Sequence, residues 1–282
     1  MTSIKLAFFD IDGTLIGAEG KYSNRTKRAI TLLHNNGIKT AIASGRPPFA
    51  AQFLYEELNI RDAGLFFAGA AIYNPSRKQY LKTNYLNVNA SSEAKSQSVP
   101  STQLIQLVSA IKENQLYCEV YTRDNFYTED DCSDIYQAHS TVLRAKAIVS
   151  NLNEVIEKQL VVKLLIGANV DDFDLTSIEK DFPHYHFAYA KMASHPNWVF
   201  ASIIHESSCR EKGFYELCQY HQVDSAEVIA FGDAQSDQMF IEIAGTGVAM
   251  GDAPTSVKQS ANIVTDTSDN DGVASVIEQL FS

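Results

Sequence analysis

The feature that most constrains this chain is a short apolar run that ends in two aspartates. Leu6–Phe9 is unbroken in hydrophobic residues, as in a strand buried on both faces, and Asp10, Asp12 and Gly13 follow it closely. Carboxylates at the tip of a buried strand are costly unless positive charge lies between them. Gly13 permits an immediate turn, so both aspartates can project from the sheet edge at which α/β proteins bind ligands. The alternative is an ordinary turn whose aspartates bond to their own backbone.

The length and composition favour a two-domain globular protein that has no nucleic-acid partner. A chain of 282 residues exceeds what one hydrophobic core usually serves. Asp and Glu number 34 against 23 Lys and Arg, a formal charge of -11, whereas nucleic-acid binding requires a basic face. A small phosphorylated molecule remains compatible with this charge, because a metal ion and a few local cations can bind it.

The sequence does not indicate a membrane segment, a secretion signal or a zinc site. The apolar runs are too short to span a bilayer, and the first residues lack an apolar signal-peptide region. We therefore expect a cytoplasmic protein with no membrane partner. The four cysteines form no Cys-x-x-Cys pair, which favours free, reduced thiols over zinc ligands. The sequence leaves the oligomeric state open.

A second strand is predicted to bring a serine to the same sheet edge. A helix capped near Ser23 precedes a strand at residues 38–43, so strand, helix and strand form a right-handed parallel unit. Ser44 ends that strand, and Pro47 suits the first turn of a new helix whose backbone amides would lie beside the hydroxyl. With the guanidinium of Arg46 these groups make a phosphate cradle, although a plain helix cap also explains Ser44.

The middle of the chain has the pattern of an inserted α+β module. Residues 84–101 are rich in Asn, Ser, Lys and Gln, as in a linker, and a helix and several strands are predicted beyond them. We therefore expect a first domain made of residues 1–83 and 191–282, and an inserted domain made of residues 84–190. The apolar run at residues 198–204 is assigned to a strand of the first domain.

Two later segments add charged groups at predicted helix and strand ends. Lys212 lies in the first turn of a helix predicted from Glu211, where a cation opposes the helix dipole, although surface lysines occur there too. A buried strand at residues 228–231 leads to Asp233, and Asp237 follows at a helix start. An acidic first turn explains Asp237 but not Asp233. The pair therefore indicates a second set of carboxylates at the sheet edge.

These segments resemble, in order, the four motifs of the haloacid dehalogenase-like hydrolases, most of which are aspartyl-phosphate phosphatases. The segments are Asp10-Ile11-Asp12-Gly13-Thr14-Leu15, Ser44-Gly45-Arg46-Pro47, Lys212-Gly213 and Gly232-Asp233-Ala234-Gln235-Ser236-Asp237. The inserted module resembles the large C2-type cap of the Cof-like subfamily. The resemblance implies an α/β fold with a doubly wound, mostly parallel Rossmann-like sheet and an inserted α+β cap domain. Ala68 and Ser236 depart from the family pattern, which has asparagine at both positions.

The resemblance also implies a metal ion and a nucleophile. Carboxylate oxygens of Asp10 and Asp233 and the backbone carbonyl of Asp12 would hold Mg²⁺, with Asp237 acting through water. Asp10 would attack phosphorus and form an aspartyl-phosphate. Asp12 would protonate the leaving alcohol and then activate the water that hydrolyses the intermediate.

The remaining motif residues are expected to hold the substrate. By resemblance, Ser44, Gly45 and Lys212 would bind the phosphate oxygens. Ser236 would lie on the substrate side of its motif, where its short hydroxyl replaces an amide. Arg46 would contact the leaving group, although a surface salt bridge explains an arginine there nearly as well.

We therefore expect a Mg²⁺-dependent phosphatase of small phosphorylated metabolites, such as sugar phosphates, whose cap selects the leaving group. A phosphomutase could use the same site and return the phosphoryl group to a sugar. A catalytically silent sensor of phosphorylated metabolites is a third possibility, favoured by the departures at Ala68 and Ser236 and opposed by the intact Asp10 and Asp12.

Overall fold

The structure is a computed structural model, and it describes residues 3–88, 99–192 and 194–281. Its contacts divide the chain into two compact units. The first consists of Met1–Ser44, Ala51–Leu81 and Arg210–Ser282, and the second of Gly45–Ala50 and Lys82–Cys209. Residues 89–98, within the predicted linker, lie outside the described residues.

Most of the strands are short, whereas the strand His195–His205 has 11 residues. In chain order they are β1 (Leu6–Phe9), β2 (Lys39–Ile42), β3 (Gly64–Phe66), β4 (Ala71–Asn74), β5 (Gln79–Thr83), β6 (Asn87–Val88), β7 (Val99–Pro100), β8 (Tyr117–Tyr121), β9 (Phe126–Thr128), β10 (Ile148–Val149), β11 (Lys163–Asn169), β12 (Tyr185–Met192), β13 (His195–His205), β14 (Val228–Gly232), β15 (Thr246–Ala249) and β16 (Ile263–Val264).

The helices alternate with the strands along most of the chain. They are α1 (Asn24–Asn35), α2 (Gln52–Leu58), α3 (Ser101–Glu113), α4 (Asp134–Leu143), α5 (Leu152–Lys158), α6 (Thr176–Asp181), α7 (Arg210–His221), α8 (Gln238–Ile243), α9 (Thr255–Ser260) and α10 (Gly272–Phe281). None of the helices in the described ranges has the length and apolar character needed to cross a bilayer. The cytoplasmic location expected from the sequence stays a prediction.

The first unit is built on a parallel sheet with the order β16-β15-β14-β1-β2. β1 pairs in parallel with β2 on one side and β14 on the other, so that Phe9 lies opposite Ile42 and Phe231. The predicted α/β architecture, a mostly parallel sheet flanked by helices, is confirmed. In-register parallel strands place the residues that follow β1, β2 and β14 at one edge of the sheet.

Helices cover this sheet because its strands are apolar on both faces. On one face, Phe8 of β1 packs against Phe214 of α7 and Phe240 of α8, with ring centroids 5.5 and 6.5 Å away. Elsewhere in this unit, α1 packs against α10. The hydroxyl of Ser23 caps α1 by accepting hydrogen bonds from the backbone N–H groups of Arg25 and Thr26, as the sequence predicted.

The second unit has its own sheet, with the order β10-β9-β8-β11-β13-β12. Alternate residues of β8 and β11, such as Val120, Leu164 and Ile166, join the apolar side chains of α3, α5 and α6 in one core. The other face of β8 carries Glu119, which is fully buried.

A polar network surrounds this buried glutamate. Its carboxylate accepts hydrogen bonds from the hydroxyl groups of Tyr117 and Tyr121, each at 2.5 Å. His139 of α4 lies 2.9 Å from it. Burial raises the pKa of Glu119, but His139 and the two tyrosines outweigh burial and hold that pKa below its usual range.

The structure differs from the sequence analysis in three places. Residues 198–204 were assigned to the first domain, but β13 pairs with β11 and β12 in the second sheet, and the units divide at Cys209 and Arg210. The helix predicted from Pro47 begins as a 3₁₀ turn at Pro48–Ala51, since a residue before proline avoids the α conformation. Helix α4 was not predicted.

Candidate active site

The turn after β1 places Gly13 in close contact with Asp233. The backbone N–H of Asp10 donates to the carbonyl of Phe231 at 3.1 Å, which continues the pairing of β1 with β14. Gly13 then takes a φ of +79°, and a Cβ atom on it would lie 2.4 Å from Oδ2 of Asp233. Thr14 donates its hydroxyl to Oδ1 of Asp233 at 2.9 Å. The turn therefore requires glycine and fixes Asp233 beside it.

The turn after β14 brings a third aspartate into the same place. A Cβ atom on Gly232 would lie 2.4 Å from Cβ of Asp237, so only glycine permits this approach. Asp237 is buried, and its Oδ2 accepts hydrogen bonds from the backbone N–H groups of Ala234 and Asp233 at 3.0 and 3.3 Å. Asp10, Asp233 and Asp237 each offer a carboxylate oxygen, and these oxygens lie within 4.8 Å of one another.

The carboxylates repel one another, and this repulsion adds to burial in raising the pKa values of Asp10 and Asp233. Burial, followed by the charges of Asp237 and Asp233, raises the pKa of Asp10 well above its usual range, while Arg210 lowers it. Burial and the charge of Asp237 raise the pKa of Asp233 to about 7, with the hydroxyl of Thr14 opposing the rise. Such a cluster is unfavourable as three anions without a compensating charge.

A divalent cation fits this set of donors. Carboxylate oxygens are the ligands that Mg²⁺ prefers, and a bound cation would favour the ionised form of each carboxyl group. Of the four aspartates predicted to hold Mg²⁺, the cluster contains Asp10, Asp233 and Asp237. Asp12 is exposed, and its part in holding Mg²⁺ through the backbone carbonyl stays a prediction.

The structure also places a cation in this cluster that the sequence analysis missed. Nη1 of Arg210 lies 2.5 Å from Oδ1 of Asp237, and it donates to the backbone carbonyl of Ser236 at 3.2 Å. Ser236 donates its hydroxyl to Asp237 at 3.3 Å. Arg210 was overlooked because the helix was predicted to begin at Glu211, one residue too late. The predicted phosphate ligand Lys212 is exposed.

Ser44 leaves the sheet at the same edge, next to the end of β1. The backbone N–H of Ala43 donates to the carbonyl of Phe9 at 2.9 Å. Ser44 is the residue after Ala43, and Asp10 is the residue after Phe9. Its own N–H donates to Leu65 at 2.9 Å, and its carbonyl accepts from Ala68 at 3.3 Å. The serine is thus fixed by backbone contacts on both sides.

The turn that contacts Ser44 has an unusual backbone. Phe67 and Ala68 have φ values of 52° and 57°, and Gly69 has a φ of 111°. The left-handed region is unfavourable for residues other than glycine, asparagine and aspartate. This conformation follows the end of β3 at Phe66.

Gly45 and Arg46 belong by their contacts to the second unit. Nζ of Lys163 donates to the carbonyl of Gly45 at 3.2 Å and lies 4.3 Å from the centroid of the Tyr121 ring. Arg46 is buried and its Nη1 donates to the carbonyl of Ala50 at 3.5 Å. Arg46 is therefore not the exposed group that a surface salt bridge would require.

Comparisons with known proteins point to one family. The family model described as haloacid dehalogenase-like hydrolase matches residues 7–277. The 5-amino-6-(5-phospho-D-ribitylamino)uracil phosphatase YitU of Bacillus subtilis (strain 168) is 26% identical over 285 residues, covering 98% of this chain and 97% of that protein. A solved haloacid dehalogenase-like hydrolase from Bacteroides thetaiotaomicron has a TM-score of 0.83 and 25% identity, covering 99% of this chain and 100% of that one. The HAD subclass IIB sugar phosphatase BT4131 has a TM-score of 0.80 and 21% identity, covering 98% of each chain.

Proposed function

The chain belongs to the haloacid dehalogenase-like hydrolases and is a phosphatase, and on that basis we propose that it hydrolyses small phosphomonoesters through an aspartyl-phosphate on Asp10. The observation that carries this proposal is the meeting of Asp10, Asp233 and Asp237 at one sheet edge. A phosphate monoester repels anionic nucleophiles, so a site for its hydrolysis must gather positive charge before an aspartate can attack.

Asp10 and Asp12 divide the chemistry between them. A carboxylate oxygen of Asp10 attacks phosphorus in line, and the bond from phosphorus to the leaving oxygen breaks. The proton of Asp12 passes to that oxygen, which leaves as an alcohol. Asp12 then takes a proton from a water molecule that attacks the aspartyl-phosphate, and Asp10 and inorganic phosphate are released. Asp12 is exposed, which suits a group that exchanges protons with substrate and water.

Mg²⁺ is the proposed cofactor, held by Asp10, Asp12, Asp233 and Asp237. When bound, it supplies the positive charge that lets an anionic carboxylate approach an anionic phosphate. Gly13 and Gly232 keep their carboxylate neighbours close by leaving no side chain between them. Thr14 orients Asp233 from the other side through its hydroxyl.

Ser44 and Gly45 are proposed to hold the phosphate, with Ser236 on the substrate side of the fourth motif. Arg46 is proposed to contact the leaving group. The relatives support a small phosphorylated substrate, because one is named for a phosphorylated ribitylaminouracil and another as a sugar phosphatase. Sugar phosphates and related metabolites are therefore the substrate class to test first.

A phosphate-release assay tests the proposal directly. Purified protein is incubated with Mg²⁺ and a panel of sugar phosphates, nucleotides, pyridoxal phosphate, flavin mononucleotide and p-nitrophenyl phosphate. We expect metal-dependent release of phosphate that is abolished in Asp10→Asn and unchanged in Asp171→Asn, which alters an exposed aspartate of the second unit. Retention of activity by Asp10→Asn would exclude the proposed nucleophile.

Product analysis in the same assay separates the alternative functions. An isomerised sugar phosphate without free phosphate indicates a phosphomutase. Tight binding of a phosphorylated compound by the wild type, with no turnover in the presence of Mg²⁺, indicates a sensor.

A further inference from the structure

One face of the second sheet carries a buried lysine. Strands β8 and β11 pair antiparallel, with Lys163 opposite Tyr121. The neighbouring residues Val120 and Leu164 belong to the apolar core that α3, α5 and α6 share. Because side chains alternate along a strand, Lys163 and Tyr121 point to the other face of the sheet. Lys163 is 4% exposed, so its charge is buried on that face.

A buried ammonium group is unfavourable unless polar groups surround it. Nζ of Lys163 lies 4.3 Å from the centroid of the Tyr121 ring, whose π face attracts a cation. The hydroxyl of Tyr121 donates to the carboxylate of Glu119 at 2.5 Å, which increases the electron density of the ring and strengthens this attraction. Nζ also donates to the carbonyl of Gly45 at 3.2 Å. The ammonium therefore rests on Tyr121 and directs a hydrogen bond at the backbone of Gly45.

The segment Gly45–Ala50 is held at a second point by aromatic packing. Phe49 stacks on Phe126 of β9, with ring centroids 6.4 Å apart and an interplanar angle of 15°. Phe126 in turn stacks on Tyr121 at 5.3 Å. These contacts explain why Gly45–Ala50 groups with the second unit, although the residues on either side of it belong to the first.

Gly45 benefits from such an anchor because glycine loses more conformational freedom than any other residue when its backbone is ordered. Its N–H shares a planar peptide group with the carbonyl of Ser44, which accepts from the backbone N–H of Ala68 at 3.3 Å. Lys163 holds the carbonyl of the next peptide group. The Gly45 N–H thus lies between two held carbonyls, and a donor whose direction is fixed in advance binds an anion at a lower entropic cost.

We propose that Lys163 is a positioning residue for phosphate binding, whose ammonium holds the Gly45 carbonyl so that the Gly45 N–H keeps the direction in which it donates to the phosphate of the substrate. This inference rests on the proposed function and adds to it a residue of the segment Lys82–Cys209. Lys163 acts on the phosphate through the backbone of Gly45, and the four sequence motifs do not include it.

Steady-state kinetics with p-nitrophenyl phosphate and Mg²⁺ test this role. We expect Lys163→Met to raise both KM and the inhibition constant of inorganic phosphate about tenfold, the factor typical of one hydrogen bond to a charged group. The kcat should change by less than about threefold, because the Gly45 N–H binds the phosphate in the ground state and in the transition state alike. Lys163→Arg should recover part of the loss, since it restores a cationic donor.

Two control variants separate this role from a general effect on the second unit. Val120→Ala leaves a cavity on the other face of β8, so it should lower the Tm while KM and the phosphate inhibition constant stay near the wild-type values. Lys191→Met removes an exposed charge of β12 and should change none of these quantities. If Lys163→Met is not folded, Lys163→Gln takes its place with the same expectation, because its amide nitrogen ends one bond short of the ammonium.

Nuclear magnetic resonance observes the Gly45 amide directly. Ser44-Gly45 is the one Ser-Gly pair in the sequence, so labelling with [1-¹³C]serine and [¹⁵N]glycine gives a single carbonyl-filtered amide signal. Titration with inorganic phosphate in the presence of Mg²⁺ should shift this signal in the wild type and in Val120→Ala. The same shift in Lys163→Met should require about tenfold more phosphate.

The outcomes separate this inference from the proposed function. If Asp10→Asn is inactive while Lys163→Met binds phosphate as tightly as the wild type, or Val120→Ala weakens phosphate binding as much, the function stands and the role of Lys163 is wrong. A Gly45 signal that does not respond to phosphate also overturns the inference. If the wild type releases no phosphate from any compound, or Asp10→Asn remains active, the proposed function itself fails, and the phosphate titration still tests Lys163.

Discussion

At the scale of single residues, the site depends on glycines that leave room for carboxylates. Gly13 and Gly232 each bring a backbone so close to an aspartate that a Cβ atom would lie 2.4 Å from an atom of its side chain. The sequence analysis identified Gly13 as a turn residue, and the structure adds a steric reason. That reason could not be read from the sequence, because Asp233 lies far along the chain from Gly13.

Gly13→Ala should therefore impair both folding and catalysis. The positive φ alone is expected to cost about 1–2 kcal/mol for a residue with a Cβ atom. Displacement of Asp233 should lower kcat/KM by on the order of 10²-fold, as for a site residue moved by about 1 Å. The measurements are urea unfolding and steady-state kinetics.

Gly20→Ala is the matched control for this variant. Gly20 also has a positive φ, +69°, but a Cβ atom on it would meet no heavy atom within 4 Å. We expect a similar loss of stability and unchanged kinetics. Equal activity in the two variants would contradict a steric role for Gly13.

The left-handed turn at Ala68 stores strain that can be measured. Ala68→Gly should raise the free energy of unfolding by about 1 kcal/mol, because glycine adopts this conformation without a steric penalty. Ala70 has a φ of -78°, so Ala70→Gly should instead lower stability by about 0.5–1 kcal/mol. Chemical denaturation of both variants tests the difference, and a loss of stability in Ala68→Gly would show that the turn is unstrained.

At the scale of secondary structure elements, the sequence predicted strands better than it predicted their partners. The bounds of β1, β14 and α1 agree with prediction to within one or two residues, because buried runs and helix caps are local signals. β13 was assigned to the wrong sheet, because the pattern of a strand does not say which strand pairs with it. Residues 198–203 pair with residues 164–169 of β11, which lie far from them in the sequence.

Helix α4 was missed for a similar reason. Ser133 caps it, and Ile135, Tyr136 and Leu143 are its buried residues. A stretch rich in acidic and aromatic residues obscured this spacing. His139, on the same helix, contacts Glu119 of β8, and that contact is a tertiary feature.

The network around Glu119 should contribute strongly to the stability of the second unit. Tyr117, Tyr121 and His139 all direct polar atoms at its carboxylate. Glu119→Gln places an amide NH₂ group where an acceptor is needed, so a buried donor loses its partner. We expect a loss of about 1–3 kcal/mol in urea unfolding.

An exposed ion pair provides the control for this prediction. Lys158 and Glu154 form an (i, i+4) pair whose side chains are mostly in solvent. Lys158→Met should leave the midpoint of urea unfolding nearly unchanged, because solvent screens this pair. A cost for Glu119→Gln as small as that of Lys158→Met would mean that the network contributes little.

At the scale of the whole molecule, the order of the motifs predicted the family and the α/β fold, because three of the four motifs follow strands of one parallel sheet. The division of the chain was predicted less well. The chain leaves the first unit after Leu81, close to the predicted residue 83. It returns to the first unit at Arg210, and not near residue 191 as predicted. The sequence offers no linker composition at Arg210, so only the pairing of β13 reveals this boundary.

The aspartate cluster makes the stability of the metal-free protein depend on pH. The pKa of Asp233 is raised to about 7 and that of Asp10 is raised as well, so the folded state binds protons more tightly than the unfolded chain. Their stabilising contribution is present at low pH and is lost as the pH rises from about 4 towards 7. We expect the Tm in EDTA to fall over this range.

Mg²⁺ should reverse this trend, because the proposed site would hold it through ionised carboxylates. The increase in Tm on adding Mg²⁺ should be larger at pH 8 than at pH 5, and scanning fluorimetry at both values measures it. Asp233→Asn should reduce both the pH dependence and the response to Mg²⁺, whereas Asp171→Asn should change neither. An equal response to Mg²⁺ in wild type and Asp233→Asn would contradict this account of the cluster.

The way in which the two units share the chain has a consequence for exchanging them between relatives. Gly45–Ala50 groups with the second unit although Ser44 and Ala51 belong to the first, and Arg210 is the first residue after the long insertion. A chimaera that transplants only Lys82–Cys209 would therefore separate this segment from Gly45–Ala50, the other part of the second unit. A successful graft should carry both segments, and the junctions of the longer one should lie at Leu81 and Cys209. Recombination among these enzymes is therefore constrained by the six residues Gly45–Ala50, which lie upstream of the longer segment in the chain.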